Sequence, residues 1–307
     1  MRDIWLIGLD GSNLLAFLAA LGTFRALTLV EGCSGTRLRW ESNRSWVPVI
    51  TNSIAESEED LLAILESTLS GEESISDAWK IGEDLTLGLQ DFRNVLLKCM
   101  AVSSAGQHTN ADFLTAFGSD GIGSGPKKDQ MSDTEFRTMS GAGHQHFLGF
   151  MKELAAGTNV QHLKRTLFAQ WDYADGRPSL RWDPADYRPH ALRANNPSGD
   201  PIRTMRGANR LAVEALPLFP TAPESRQLRT LGFKDRDRET EVTWPIWSDA
   251  LDLKTLASLL GLSDLQEDKI EGRKRSVLER RGIRQVFRAK RFTDGKYRNF
   301  SPARALL

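Results

Sequence analysis

The sequence predicts an α+β fold in which small antiparallel sheets pack with helices, arranged as two loosely separated lobes. Three observations lead there. A short apolar run from Trp5 to Leu9 feeds an unusually apolar helix; two strand-like runs follow it; and the composition beyond residue 170 becomes rich in Trp, Arg and Pro. Residues 1–170 are expected to form an N-terminal α+β lobe with a buried apolar helix, and residues 171–307 an Arg-rich C-terminal lobe.

The first run ends in Asp10-Gly11, a turn signal, after which Ser12 or Asn13 offers a side-chain oxygen to the first free helix amides. From Asn13 to Leu27, apolar residues cover more than one face, so this helix belongs at the centre of a core. Ala16, Ala19, Ala20 and Gly22 are small enough to let another backbone approach closely. Thr23 and Arg25 interrupt the run short of the roughly 20 apolar residues that a membrane span needs, and Asp3 and Asp10 argue against a secretory signal.

Arg37 to Glu41 and Trp46 to Ile50, separated by four polar residues, read as a hairpin that makes a small sheet with Ile4 to Leu9. Ser57, followed by Glu58, Glu59 and Asp60 and then leucines at helical spacing, marks a capped helix. Helices are expected from Asp91 to Ser104 and from Asn110 to Phe117. The Gly-, Ser- and Lys-rich stretch from Gly118 to Asp133 reads as a mobile loop. A glycine turn at Gly141-Ala-Gly143 feeds a helix carrying Phe147, Leu148, Met151 and Leu154, and another helix runs from about Val160 to Ala169. Trp171 to Asp200 suits an ordered turn. Thr204 to Leu216 and Leu253 to Leu260 read as helices, Thr243 to Trp247 as a strand, and Gly282 to Phe292 as a basic strand.

The charges balance at 40 basic and 40 acidic residues, yet residues 273–307 hold 12 Lys or Arg against only Glu279 and Asp294. Such a split directs the tail towards a nucleic acid backbone or the chain's own acidic surface. Arg280, Arg281, Arg284, Arg288, Lys290, Arg291, Lys296 and Arg298 are interleaved with Phe287, Phe292, Tyr297 and Phe300. Cationic groups neutralise phosphates and aromatic faces stack on unpaired bases, so these positions are the candidate nucleic-acid contacts. Arg188, Arg193, Arg203, Arg206 and Arg210 form a second cluster that extends the same surface.

Other chemistry is thinly represented. The two cysteines, Cys33 and Cys99, suggest neither a disulfide framework nor metal-ligand spacing, which fits a reducing cytoplasm. His144, His146 and Asp183 are the candidates for a metal-dependent hydrolase or nuclease, although His144 and His146 point apart if helical. Asp172, Asp175, Asp183 and Asp186 lie among Arg177, Arg181 and Arg188, an arrangement suited to internal ion pairs that fix the loop. No Walker loop, GxGxxG or G-x-S-x-G motif is present, and no cofactor is expected. Docking of the positive tail on an acidic protein is a further alternative.

Three blocks resemble the helicase-nuclease extension family of type I-G (formerly I-U) CRISPR-associated proteins. They are Leu9 to Gly22, Ser140 to Gly149, and a distal set made of Arg181-Trp-Asp-Pro184, Gly207 to Ala212, Ala215 to Pro220 and Trp244-Pro-Ile-Trp247. Their order and spacing cover most of the chain. Leu14 stands where the family has proline, which changes how the helix begins and removes no chemistry. The resemblance implies prokaryotic antiviral defence and work alongside a crRNA-guided effector complex or its helicase-nuclease. With the basic clusters and the interrupted apolar run, the expectation is a non-catalytic accessory or structural component that contacts RNA or DNA and no membrane. The resemblance implies no active site. Gly11, Asn13, Gly141, Gly143, His144, Arg181, Asp183 and Asn209 match the blocks without assigned roles.

Overall fold

A computed structural model of the protein describes residues 3–30, 35–102, 109–139, 145–186, 203–237, 239–294 and 297–307. The chain begins with β1 (Ile4–Trp5), α1 (Leu14–Leu29) and the hairpin β2 (Arg37–Asn43) and β3 (Ser45–Thr51). Helices α2 (Glu58–Leu69), α3 (Leu89–Val102) and α4 (Thr109–Phe117) precede a second hairpin, β4 (Gly118–Ser124) and β5 (Gln130–Asp133). Then come α5 (Phe147–Gly157), α6 (Val160–Phe168) and α7 (Arg206–Val213), followed by β6 (Thr221–Glu224), β7 (Gln227–Thr230), β8 (Phe233–Arg236) and β9 (Glu239–Trp247). Helices α8 (Leu253–Leu260) and α9 (Gly272–Arg280) lead into β10 (Ile283–Asp294), β11 (Tyr297–Phe300) and β12 (Arg304–Ala305). The fold is α+β, with four small antiparallel sheets among the described residues, the largest ordered β11-β10-β9-β8 with β12 beside β10.

Helix α1 is the hub. Asn13 caps it by accepting from the Ala16 amide at 3.2 Å, and every residue from Leu14 to Leu27 is buried. Each fully buried Leu or Phe along it contributes about 1.5–3 kcal/mol. Phe17 lies 5.8 Å from Trp40 on β2 and 5.9 Å from Trp244 on β9, so one side chain joins two sheets. Trp244 Nε1 donates to the Gly11 carbonyl at 2.8 Å, and Trp247 Nε1 to that of Leu38 at 2.9 Å. On its other side α1 packs against α7, and Gly22 makes this possible: a Cβ there would lie 1.7 Å from the Leu211 carbonyl oxygen. A single apolar core thus runs from Ile4 to Phe300 and is continuous across residue 170. Among the described residues no helix is long and apolar enough to cross a membrane.

Two expectations need correction. The stretch from Gly118 to Asp133 is the β4–β5 hairpin, in which buried Met131 supplies an apolar anchor and a register shift between Ser119 and Gly123 absorbs the glycines. Strand β1 is shorter than the apolar run suggests. The Leu6 amide still donates to the Pro48 carbonyl at 3.0 Å, but the Gly8 amide donates to the Leu167 carbonyl at 2.8 Å, so the chain leaves the sheet to meet the end of α6.

Candidate nucleic-acid interface

Helix α9 presents Arg273, Lys274, Arg275 and Arg280 within nine residues. Leu278 is its one buried residue, so the helix lies on the surface, and Gly282, at φ +78°, turns the chain from it into β10. Arg273, Lys274, Arg275, Arg280, Arg281 and Arg284 are all exposed. Lys274 pairs with Glu267 at 2.6 Å, Arg275 with Glu279 at 2.8 Å and Arg281 with Asp264 at 2.8 Å. Every partner in these pairs is well exposed, so each pair is worth about 0–1 kcal/mol and is readily exchanged for another anion. Arg284 Nε donates to Ser248 Oγ at 3.0 Å and has no acidic partner among the described residues. Arg273 and Arg280 have no ion pair or side-chain hydrogen bond among the described residues. Seven residues apart on a helix, they share a face and sit about 10 Å apart along the axis.

Arg288, expected at this surface, is an interior residue with its side chain 1% exposed. Its Nε donates to Thr243 Oγ1 at 2.9 Å, and its Nη2 to the carbonyls of Glu267 at 2.7 Å and Leu265 at 3.3 Å. Arg236 Nη2 donates to the Gln266 carbonyl at 2.6 Å. The two arginines thereby hold three successive carbonyls of the segment that leads into α9. Glu241, also buried, supplies the counter-charge at 3.9 Å from Arg288, 3.5 Å from Arg236 and 3.2 Å from Arg304. Burial and the neighbouring Arg236 pull the Arg288 pKa down to about 10 against the attraction of Glu241. Alternation along β9 places Glu241 on the face that carries Thr243, the one sequence signal that locates this clamp in advance.

Arg210 needs the same correction. It is fully buried, donates through Nε to the Leu69 carbonyl at 2.9 Å and through Nη1 to Glu214 at 2.8 Å, and lies 5.2 Å over the ring of Trp79. Arg25 approaches the same Glu214 at 3.2 Å. Arg206 is tied down through Nη2 to the Arg177 carbonyl at 2.6 Å, whereas Arg203 is exposed and has no partner among the described residues. Lys290 is exposed and pairs with Glu239 at 2.5 Å. Arg188, Arg193 and Lys296 lie outside the described residues.

At the far end of β10, Arg291 and Arg298 share one acceptor. Arg291 Nη2 and Arg298 Nη1 both donate to the Arg137 carbonyl, at 2.9 and 3.4 Å. The Arg291 Nε is buried with no acceptor. Burial, and secondly the nearby Arg298, lower the Arg291 pKa to about 10.

Asp172, Asp175 and Asp183 fix the loop through partners outside the expected set of Arg177, Arg181 and Arg188. Asp172 and Asp175 hold Arg165, at 2.5 and 2.8 Å. Asp183, 2% exposed, accepts from Asn13 Nδ2 at 3.1 Å, the Ala185 amide at 2.9 Å and Tyr173 Oη at 3.1 Å. Asn209 Oδ1 accepts from the Leu180 amide at 2.8 Å. Burial and the Asp183 carboxylate raise the Tyr173 pKa. Asp183→Ala is expected to cost about 2 kcal/mol by stranding buried donors, as measured by urea unfolding. His146 stands 3.9 Å from Asp84, and His144 lies outside the described residues. Among the described residues no group of three His, Cys, Asp or Glu side chains is placed to hold a metal ion. No family model matches the chain, and no curated protein matches it.

Proposed function

We propose that the protein is a non-catalytic accessory subunit of a type I-G CRISPR effector apparatus that contacts nucleic acid, alone or within a ribonucleoprotein, through α9 and the start of β10. The observation that carries the contact is the pair Arg273 and Arg280, exposed on one helix face with no acidic partner among the described residues. Arg284 and the weakly paired Lys274, Arg275 and Arg281 add exposed positive charge around it. The defence system itself is supported by the resemblance of the three sequence blocks. Asn13 with Asp183, and Asn209 with Leu180, give block residues a structural use, which fits a subunit without chemistry of its own.

The test is binding to single-stranded RNA, single-stranded DNA and duplex DNA as a function of salt. Affinity is expected to fall steeply between about 50 and about 200 mM salt, with a slope that drops by about 0.7–0.9 for each phosphate contact removed. Replacing Arg273, Arg280, Arg281 and Arg284 together by Glu should weaken binding at least roughly tenfold at low salt. Salt-independent binding, or full affinity in that variant, overturns the reading. Co-purification with an effector subunit that survives nuclease treatment and depends on the same four residues would replace nucleic acid by an acidic protein.

A further inference from the structure

We propose that Arg291 and Arg298, with the Thr293 hydroxyl between them, form a phosphate-binding site at the end of β10, separate from the α9 face. The register of the hairpin sets Thr293 opposite Arg298 and Arg291 opposite Phe300, which puts Arg291, Thr293 and Arg298 on one face. Arg288 lies on the opposite face, against the segment that leads into α9. The two guanidinium groups crowd one carbonyl oxygen, that of Arg137, and neither forms an ion pair among the described residues. The two guanidinium groups share a single neutral acceptor and stand close enough for Arg298 to lower the Arg291 pKa. Asp133, Glu135 and Asp235 attract Arg291, but none lies within ion-pair distance of it: Asp133 pairs with Arg137, and Glu135 and Asp235 with Arg229, at 3.0 and 2.7 Å. Arg291 Nη1 and Arg298 Nε and Nη2 have no acceptor among the described residues and reach solvent. Thr293 is exposed, and its hydroxyl has no hydrogen-bond partner among the described residues. A tetrahedral dianion fits this set, because it offers several oxygens to donors on two adjacent side chains and cancels the repulsion between them. The site stands without the α9 reading; only its use for nucleic acid rests on that reading.

Thermal unfolding of the full chain in sodium phosphate, compared with sodium chloride at equal ionic strength, tests the site. Inorganic phosphate at ten times its Kd is expected to raise the Tm by about 2 °C. Arg298→Gln should abolish the shift, while the Arg273→Glu, Arg280→Glu variant should keep it. Calorimetric titration of inorganic phosphate at 25 °C makes the same comparison if Arg298→Gln changes the Tm by itself. Equal Tm in the two salts for the unsubstituted protein, or an undiminished response in Arg298→Gln, overturns the proposal. A 5′-phosphorylated oligonucleotide set against its unphosphorylated twin identifies the source. Tighter binding of the phosphorylated strand that is lost in Arg298→Gln assigns the site to nucleic acid; equal binding of the two, with the response to inorganic phosphate intact, assigns it to free phosphate. Loss of oligonucleotide binding in the α9 variant with the phosphate response unchanged separates failure of one site from failure of the other.

Discussion

Replacing Glu214 by glutamine is expected to cost about 3–5 kcal/mol of folding stability, because it leaves two buried cations without their shared anion. Arg25 and Arg210 are 3% and 0% exposed, and the two oxygens of Glu214 serve one each. Burial is the largest influence on Arg25 and lowers its pKa, with Glu214 and then Asp112 opposing it. The amide of glutamine keeps one acceptor but turns an NH2 donor towards the other guanidinium. Arg210 has no escape to solvent: its Nε is committed to the last turn of α2, and its Nη2 is already buried without an acceptor. Urea unfolding measures the loss. A change below about 1 kcal/mol would mean that the cluster relaxes or admits water, and that it contributes little to the union of α1, α2 and α7.

Gly22→Ala is the second large effect. The added methyl would meet the Leu211 carbonyl oxygen at 1.7 Å, its carbon at 2.7 Å and the Ala215 nitrogen at 3.2 Å. All three atoms are backbone, so no side-chain rotation relieves the clash and two helices must move apart. Alanine gains about 1 kcal/mol of helix propensity over glycine, and overpacking at a fixed backbone costs about 3 kcal/mol or more, for a net loss of at least about 2 kcal/mol. Thermal unfolding of the variant checks the sign. A stabilised protein would show that α1 and α7 can move apart at little cost. Gly207, whose Cβ would fall 2.4 Å from the His162 carbonyl oxygen, makes the same argument for α6 against α7.

The centre of this fold is legible in the sequence where local and global signals agree. The run of small and large apolar residues in α1, a cap at Ser12 or Asn13, which the structure places at Asn13, the β2–β3 hairpin and the Ser57 start of α2 all speak through short-range chemistry, and the structure bears them out. The prediction of small residues that admit another backbone is realised at Gly22. Helix α9 was not foreseen, because a helix with one buried residue leaves no periodic apolar trace. The β4–β5 hairpin was hidden for a related reason: glycines let it form, but only Met131 advertises burial. The candidate site was half legible. Composition located the positive charge but cannot distinguish an arginine that faces water, such as Arg280, from one that spends its donors on carbonyls, such as Arg288, since that difference depends on strand pairing between β9 and β10 and on what lies across the sheet.

On the proposed reading of α9, the clamp that Arg236 and Arg288 place on the carbonyls of residues 265–267 bears on how long a complex lasts. If α9 is the contact face proposed above, holding the segment that leads into it preorganises the helix, and docking would require little loss of backbone freedom. Charge reversals on α9 should therefore act chiefly on the association rate, whereas loosening the clamp should shorten the lifetime of the complex once it has formed.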